Sequence, residues 1–200
     1  ERDGFDPGYG SFSFDYARCH FVCIDYYTMH ADILDWLEDD LAGAAGRGVR
    51  FTFVFIHVPP YCELWLDGDS WLRTNLVPMM EKYGVDACFS GHTHEYERGA
   101  LHGTTYVVTG GGSWLDFPEA LITDWPHMTV GGFHSLGGGI DKGLVNENVR
   151  VRVEGVLAPE LGRARRAEFG RPDRHRLMGP AGPQGGDGGV HDVAGRVLGG

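Results

Sequence analysis

The sequence predicts an α/β fold, because short apolar runs alternate with amphipathic segments along its first half. Apolar, strand-like runs occur at residues 11–25, 50–57 and 85–91. Helix-like segments occur between them, at residues 31–48 and 70–84. Strands that alternate with helices in this way favour a layered α/β architecture.

The predicted strands differ in the way they are buried. The first run begins with FSFDY, in which aromatic and polar residues alternate, as is typical of a strand with one covered face. The run RFTFVFIH is apolar on both faces, as expected of a central strand covered on both sides. Two later strands are predicted at TTYVVTGGG and VRVRVEG.

The predicted helices each carry a signal for where they end. The first helix has one apolar stripe, formed by Ile33, Leu34, Leu37 and Leu41. Gly43 or Gly46 is expected to end it. In the second helix, Pro78 predicts a kink or an early break, because proline lacks the N–H donor and clashes with the preceding turn.

Composition and charge narrow the class of protein. The 200 residues are 42% hydrophobic and 12% aromatic, as in a globular domain. No run of about 18 apolar residues is present, so no membrane span is expected. The formal net charge of −11 argues against nucleic acid as a partner, because phosphate backbones bind Lys and Arg. The first ten residues do not resemble a signal peptide, and the start at Glu1 suggests a segment further upstream. The compartment therefore stays open, secretion included.

The composition changes near Leu161. Residues 1–160 are predicted to form one folded unit, whereas residues 161–200 are rich in Gly, Arg and Pro and hold few large apolar side chains. Such a segment cannot bury enough apolar surface to offset the entropy lost on ordering. We therefore predict a disordered tail over residues 161–200.

Three histidines lie where predicted strands end. His57 ends the run RFTFVFIH, and His92 and His94 follow VDACFSG. Functional side chains of α/β folds gather at the carboxyl ends of strands, and neutral imidazole is the commonest metal ligand. Gly91 permits a tight turn before the H-x-H pair. The three histidines are therefore predicted to bind metal.

The motifs around these histidines resemble those of a known family. GHTHEYER, residues 91–98, resembles the last metal-ligand motif of the calcineurin-like metallophosphoesterases, in the form found in purple acid phosphatases. HVPPY, residues 57–61, resembles the preceding ligand motif, and YVVTGGGSW resembles the family's glycine loop. The resemblance covers roughly residues 10–112 and implies part of an αββα sandwich of mixed sheets.

The resemblance also implies a ligand set and a reaction. His57 and His92 would bind one metal and His94 the other, in a dinuclear centre of Fe, Zn or Mn ions. Such a centre hydrolyses phosphate monoesters with a metal-bound hydroxide. Tyr61 is a candidate substrate contact or a packing residue, and Tyr96 and Arg98 are expected to orient the histidine loop. No residue of the chain is assigned as a catalytic acid or base.

Several ligands that the family uses are not found in the sequence. There is no GNHE motif, and neither a D-x-H nor a GD-x-x motif stands ahead of HVPPY. We therefore expect the chain to be the C-terminal half of the catalytic domain, poorly soluble and nearly inactive alone. Alternatives are a phosphodiesterase or nucleotidase on the same fold, a non-catalytic metal-binding module with a single His₃ site, and a truncated or frameshifted product without function. The sequence does not give the substrate, the metals or the oligomeric state.

Overall fold

The computed structural model describes most of the first 132 residues and a short segment near residue 150. The described ranges are 10–28, 31–112, 114–132 and 149–153, with the backbone alone at 167–169 and 195–196. The strands are β1 (Phe12–Tyr16), β2 (Cys19–Ile24), β3 (Phe51–Ile56), β4 (Ala87–Ser90), β5 (Tyr96–Leu101), β6 (Thr104–Thr109), β7 (Met128–Val130), β8 (Val151–Val153), β9 (Ala167–Phe169) and β10 (Gly195–Arg196). The helices are α1 (Ala31–Gly46) and α2 (Ser70–Tyr83), with 3₁₀ turns at Tyr26–Thr28 and Pro118–Ala120.

A mixed sheet of seven strands, in the order β1-β2-β3-β4-β6-β5-β7, organises the chain. The four central strands β2, β3, β4 and β6 are parallel to one another, whereas β1 and β5 run antiparallel to their neighbours. β8, β9 and β10 form a separate antiparallel sheet. The predicted α/β class with mixed sheets is therefore confirmed, and the carboxyl ends of the central strands meet at one edge.

Both helices cover the same face of the large sheet. Leu37 and Leu41 of α1 and Leu72, Leu76 and Met80 of α2 are buried in one cluster with apolar residues of the central strands. Each fully buried side chain of this kind contributes about 1.5–3 kcal/mol relative to an exposed one. This cluster is the main core, and it fixes the helices against the sheet.

The opposite face of the sheet is aromatic. Its rings form a ladder across four strands, made by Phe12, Phe14, Phe21, Phe53, Phe55 and Phe89. Phe14 stacks on Phe21 at 5.0 Å between ring centroids, and Phe55 stacks on Phe89 at 5.1 Å. Phe12 is 38% exposed and Phe14 is 49% exposed. An exposed aromatic surface of this kind favours association with other molecules.

Helix α2 continues through Pro78, so the predicted early break was wrong. Asp69 caps its first turn by accepting the Leu72 N–H at 2.8 Å, and Gly84 ends it in the left-handed conformation. Pro78 and Thr74 lie on the exposed side of the helix. Water can therefore satisfy the Thr74 carbonyl that the proline leaves without a donor. The end of α1 at Gly46 agrees with the prediction.

Four strands of the described residues, β5, β7, β9 and β10, were not predicted from the sequence. β5 carries Glu97 and Arg98 within it, and β7 has only three residues, so neither has the apolar pattern of a strand. In the predicted tail, the structure describes only the backbone of β9 and β10. The rest of that prediction lies outside the described residues. No helix in the described part is long and apolar enough to cross a membrane.

A buried histidine joins the first hairpin to α1. His20 Nδ1 lies 2.6 Å from Asp15 Oδ1, and His20 Nε2 lies 2.7 Å from Asp40 Oδ2. Arg47 Nε donates to Asp15 Oδ2 at 2.7 Å. Each ring nitrogen of His20 therefore lies within hydrogen-bond distance of a carboxylate oxygen. The fully buried imidazole is held between Asp15 and Asp40 at the amino end of β2.

We predict that Asp40→Asn lowers the free energy of unfolding at neutral pH by about 1–3 kcal/mol, because it weakens a charged pair around a buried ring. Burial alone would raise the pKa of Asp40, but the hydrogen bond and charge of His20 outweigh it and lower the pKa. The stabilisation is therefore present above about pH 4 and is lost as the pH falls through the lowered pKa. Urea unfolding at several pH values measures both effects. Asp39→Asn, at the neighbouring exposed position, is the control, and equal losses in the two variants would contradict the prediction.

Candidate metal centre

His57 and His92 are brought together at the carboxyl edge of the sheet. His57 follows β3 directly, and the turn that carries His92 follows β4, its parallel neighbour. The Gly91 N–H donates to the His57 carbonyl at 3.0 Å, which ties the two loops to each other. The Thr93 N–H donates to the Gly91 carbonyl at 2.8 Å and closes a tight turn around His92.

The two rings approach each other edge to face, and the distance between their nearest nitrogens suits a shared cation. His57 Nε2 lies 3.4 Å from His92 Nδ1, with the rings nearly perpendicular. A hydrogen bond between ring nitrogens is ordinarily about 2.7–3.2 Å long. Two nitrogens bound at about 2.0–2.1 Å to one tetrahedral metal are about 3.3 Å apart. The observed spacing therefore fits two ligands of one metal better than it fits a direct hydrogen bond.

The backbone and the charge state of His92 fit the same role. His92 has φ of +69°, in the left-handed region that residues other than glycine rarely adopt. Such strain costs about 1–3 kcal/mol and is concentrated at functional sites. Partial desolvation lowers the pKa of His92, and the neighbouring His57 and His94 lower it further. The neutral imidazole, which is the form that binds metals, is therefore favoured.

His94 points to a different partner. Its N–H donates to Asp116 Oδ2 at 2.8 Å, and its Nδ1 lies 3.6 Å from Asp116 Oδ1. The ring of Trp114 stands perpendicular to the His94 ring at 5.0 Å between centroids. Among the described residues, no group of three or more His, Cys, Asp or Glu side chains is arranged to hold a metal ion. The structure thus brings His57 and His92 together and gives His94 its own contact with Asp116.

An open cavity of about 390 Å³ lies at this edge of the sheet. His57, Gly91, Ser90 and Thr109 contribute to its polar wall, and the stacked Phe55 and Phe89 belong to its apolar wall. The cavity is therefore formed by the ends of the parallel strands, where α/β folds usually bind ligands.

Tyr61 lies behind the His57 loop and is 8% exposed. Its ring packs edge-on against three rings, at centroid distances of 5.0 Å to Tyr106, 5.2 Å to Trp125 and 4.5 Å to His127. The Arg73 guanidinium lies 5.8 Å from the Tyr61 ring centroid. In this position the Tyr61 ring packs against its aromatic neighbours and supports the loop after His57.

Tyr96 and Arg98 belong to β5, the strand that follows His94. Tyr96 is buried in the apolar cluster on the aromatic face of the sheet. Arg98 is half-buried and pairs with Val107 of β6. Both residues therefore lie in the strand next to the histidine turn, where they can orient it. Neither of them lines the cavity.

Three buried glutamates beneath the histidine turn were missed by the sequence analysis. Glu63, Glu95 and Glu97 are fully buried. Burial raises the pKa of Glu95 to about 8 and raises that of Glu97 well above its ordinary value, and the carboxyl group of Glu63 adds to both shifts. The Glu97 carboxyl accepts the Glu63 N–H at 3.1 Å, and Glu63 Oε1 accepts the Trp125 N–H at 2.9 Å. The alternation of Glu95 and Glu97 along the chain was the available signal, because residues two apart share a face of a strand.

Gly110 contacts the histidine turn from the loop that follows β6. Its N–H donates to the Glu95 carbonyl at 3.0 Å. A Cβ atom at Gly110 would lie 1.9 Å from the carbonyl oxygen of Thr93, which is a backbone atom and cannot turn aside. The glycine loop after β6 therefore allows the turn between His92 and His94 to lie against it.

We predict that Gly110→Ala displaces the histidine turn and lowers the free energy of unfolding by about 1–3 kcal/mol, as overpacking does. Gly112→Ala is the matched control, because a Cβ atom at Gly112 meets nothing within 4 Å. That change should stay within about 0.5 kcal/mol of the wild-type protein. Urea unfolding of the three proteins measures the difference, and a Gly110→Ala protein as stable as the Gly112→Ala protein would refute the close contact.

Comparison with known proteins shows which proteins this chain resembles. Residues 3–96 match the family model named calcineurin-like phosphoesterase. The fold of a purple acid phosphatase, PPD1 from yellow lupin (Lupinus luteus), superposes with a TM-score of 0.65 at 18% identity over 82% of this chain and 30% of that one. GAP50 of Plasmodium superposes with a TM-score of 0.55 at 16% identity over 83% of this chain and 50% of that one. Residues 3–96, just under half of the chain, are therefore similar to the calcineurin-like phosphoesterases.

The relatives found by sequence similarity include purple acid phosphatases. Purple acid phosphatase 21 of Arabidopsis thaliana is 32% identical over 93 residues, which are 44% of this chain and 21% of that protein. The Fe(3+)-Zn(2+) purple acid phosphatase 12 of the same plant is 26% identical over 152 residues, 74% of this chain and 29% of that protein. These findings support a purple acid phosphatase-like metallophosphoesterase. It spans less than a third of the length of these two relatives.

Proposed function

We propose that this chain supplies three histidine ligands of a dinuclear metal centre that hydrolyses phosphate monoesters. His57 and His92 bind one metal, and His94 binds the other. The observation that carries the proposal is the 3.4 Å spacing between His57 Nε2 and His92 Nδ1. The separate pairing of His94 with Asp116 supports its assignment to a second metal.

The donor atoms suit such a centre. The lowered pKa of His92 keeps its ring available as a ligand near neutral pH. Metal-binding histidines usually donate their second ring N–H to a carboxylate. Asp116 Oδ1 lies 3.6 Å from His94 Nδ1, too far for a hydrogen bond, so a small movement of the ring would be needed for this contact, which would leave Nε2 for the metal. When bound, the two metals supply an activated water and neutralise the charge that develops on the phosphoryl oxygens.

The rest of the chain holds these ligands in place. Tyr61, packed among aromatic rings and beside Arg73, supports the loop that carries His57. Tyr96 and Arg98 anchor the histidine turn to β5. The relative named as an Fe(3+)-Zn(2+) enzyme supports iron and zinc as the metals, with manganese as the remaining candidate.

The described residues do not complete the coordination of either metal. No third side chain joins His57 and His92 within the described ranges, whereas catalytic metals generally have three or more protein ligands. The chain covers less than a third of the two Arabidopsis relatives. We infer that residues 1–160 are the C-terminal half of a catalytic domain, and that further ligands come from the part of those proteins that this chain does not span.

We predict that the purified chain binds Zn²⁺ weakly and below two equivalents, and that His92→Ala weakens this binding at least about tenfold. Removal of one of two paired imidazoles leaves a single ligand, which cannot hold the ion. Isothermal titration and elemental analysis measure affinity and stoichiometry. His102→Ala is the control, because His102 is exposed, also has a positive φ, and lies in the turn at the far end of β5.

The stoichiometry separates the alternatives. Zn²⁺ binding that His92→Ala leaves unchanged would contradict the site. One tight equivalent that depends on His57, His92 and His94 together would favour a mononuclear binding module. Two tight equivalents would mean that the ligand set is already complete in this chain.

We predict that the chain alone hydrolyses p-nitrophenyl phosphate only marginally in the presence of Zn²⁺, Mn²⁺ or Fe³⁺, because the described ligand set is incomplete. A steady-state assay at acidic and neutral pH measures this, with His92→Ala as the background control. Robust metal-dependent turnover that His92→Ala abolishes would show that the chain is catalytically complete, against the prediction.

A further inference from the structure

Strand β1 leaves one edge of the large sheet open. It comes first in the strand order, and among the described residues no strand pairs with its outer side. Its five residues include no proline and no lysine, and its pairing with β2 has no bulge, although these are the usual means of blocking an edge strand. At the opposite edge, β7 has only three residues, and its pairing with β5 contains a register shift. β1 is therefore the edge that is better suited to pair with another chain.

The hairpin turn between β1 and β2 fixes the direction of the backbone groups of β1. Ala17 and Arg18 both have positive φ, of 49° and 66°, as in a two-residue type I′ turn. In such a turn the residues on either side, Tyr16 and Cys19, form a hydrogen-bonded pair. The N–H and C=O groups of Tyr16 therefore point toward β2.

The alternation of an antiparallel ladder extends this assignment along β1. Hydrogen-bonded pairs alternate with non-hydrogen-bonded pairs, so Phe12 and Phe14 direct their N–H and C=O groups toward β2, as Tyr16 does. The N–H and C=O groups of Ser13 and Asp15 therefore point outward, to the open side of the sheet. These are the backbone groups that a further strand would bind.

The side chains of β1 divide between the two faces of the sheet. On the face covered by α1, the Ser13 side chain bonds to Asp40, and Asp15 Oδ2 accepts a hydrogen bond from Arg47 Nε at 2.7 Å. The aromatic face carries the other three side chains, namely Phe12 (38% exposed), Phe14 (49%) and Tyr16 (73%). The only charge in β1 is therefore paired within the chain, and the open edge is lined by exposed rings.

These directions allow a second copy of β1 to pair in one symmetric register. An antiparallel pair centred on Phe14 places Ser13 opposite the partner's Asp15, where their outward N–H and C=O groups exchange hydrogen bonds. Phe14 then lies opposite the partner's Phe14 in a non-hydrogen-bonded pair, and Phe12 lies opposite the partner's Tyr16. Aromatic pairs of this kind stabilise paired strands. The same surface serves both copies, as a two-fold axis requires.

The exposed rings indicate how strong this pairing is. An aromatic side chain can bury about 150–250 Å², so the three rings of one copy offer about 300 Å² of open surface. With the paired backbones of both copies, the buried area is on the order of 800 Å², below the roughly 1,200–2,000 Å² of stable interfaces. The expected dimer is therefore weak and reversible, with a dissociation constant on the order of 100 μM.

We propose that this chain forms a weak two-fold dimer in which the outer edges of two β1 strands pair antiparallel about Phe14. The two seven-stranded sheets then join into one continuous sheet. The aromatic ladder of one copy continues into that of the partner across the two Phe14 rings. The dimer uses no residue of the candidate metal centre, so it stands or falls independently of the proposed function.

Sedimentation equilibrium between about 10 and 1,000 μM, a range that brackets the expected dissociation constant, measures the association. Phe14→Lys should weaken it about fivefold or more, because it removes a ring pair and places two like charges opposite each other on the axis. Phe117→Lys is the matched control, because Phe117 is also an exposed aromatic residue but lies in the loop after β6. A wild-type chain that stays monomeric, or equal losses in the two variants, would overturn the proposal.

A second pair of variants separates pairing of the edges from packing of the aromatic faces. Ser13→Pro removes an outward N–H that β2 does not use, and it leaves all three rings in place. It should weaken the association, whereas Ser13→Ala, which removes only the hydroxyl group, should not. Thermal unfolding checks that both variants are folded. Association that survives in folded Ser13→Pro would mean that the faces pack together, and would overturn the pairing of the edges.

Cysteine cross-linking tests the register without depending on either variant. Opposite residues of a non-hydrogen-bonded pair have Cα atoms about 4.5 Å apart, within the range of a disulfide, so Phe14→Cys should form a covalent dimer on oxidation. The wild-type chain, with its four free cysteines, gives the background. Phe12→Cys alone should not cross-link, because the two copies of that residue lie about 13 Å apart in this register. Its mixture with Tyr16→Cys should cross-link. Cross-linking of Phe12→Cys alone as fast as that of Phe14→Cys, or none above background in Phe14→Cys and in the mixture, would overturn the proposal.

Discussion

The parallel pairing of β3 with β4 is the constraint on which the candidate site depends. Phe53, Val54 and Phe55 pair with Ala87, Cys88 and Phe89, so the next residues of both strands leave the sheet side by side. The hydrogen bond from the Gly91 N–H to the His57 carbonyl continues this register two residues further along both strands. Residues 35 positions apart in the chain thereby present two ring nitrogens to each other. A one-residue slip would turn one of the imidazoles to the other face of the sheet.

The turn after this pair is strained, and its surroundings hold it in place. His92 adopts a left-handed conformation, which costs about 1–3 kcal/mol unless neighbouring contacts determine it. The Gly110 N–H binds the Glu95 carbonyl, and the absence of a side chain at Gly110 allows the Thr93 carbonyl to approach closely. The buried carboxyl of Glu97 bonds the loop at Glu63, so the turn is braced from a second direction. These contacts are local, but the residues that make them are scattered over some fifty positions of the chain.

This distribution explains which features the sequence predicts and which it does not. The central strand at residues 51–56 and the helix at residues 31–46 have strong apolar periods, and both are predicted correctly. β5 is missed because Glu97 and Arg98 give it a polar composition, although Glu97 is fully buried. Asp116 is missed as the partner of His94 because it lies in an irregular loop with no motif of its own. Pro78 misleads because the cost of an interior proline depends on whether the freed carbonyl faces water, and that depends on the tertiary fold.

The same residue type takes different roles in this chain according to what surrounds its two nitrogens. Both nitrogens of His20 are engaged by carboxylates, so that ring is saturated and serves the fold alone. His127 packs among aromatic rings, and burial lowers its pKa, so it behaves as part of the core. His57 and His92 differ because each presents a nitrogen to the other, at a spacing too long for an ordinary hydrogen bond and suited to a shared ion. Two imidazoles that face each other without a carboxylate between them are the arrangement that a cation stabilises. The spacing of the two facing ring nitrogens, more than the number of histidines, is therefore what supports the proposal of a metal site at this edge of the sheet.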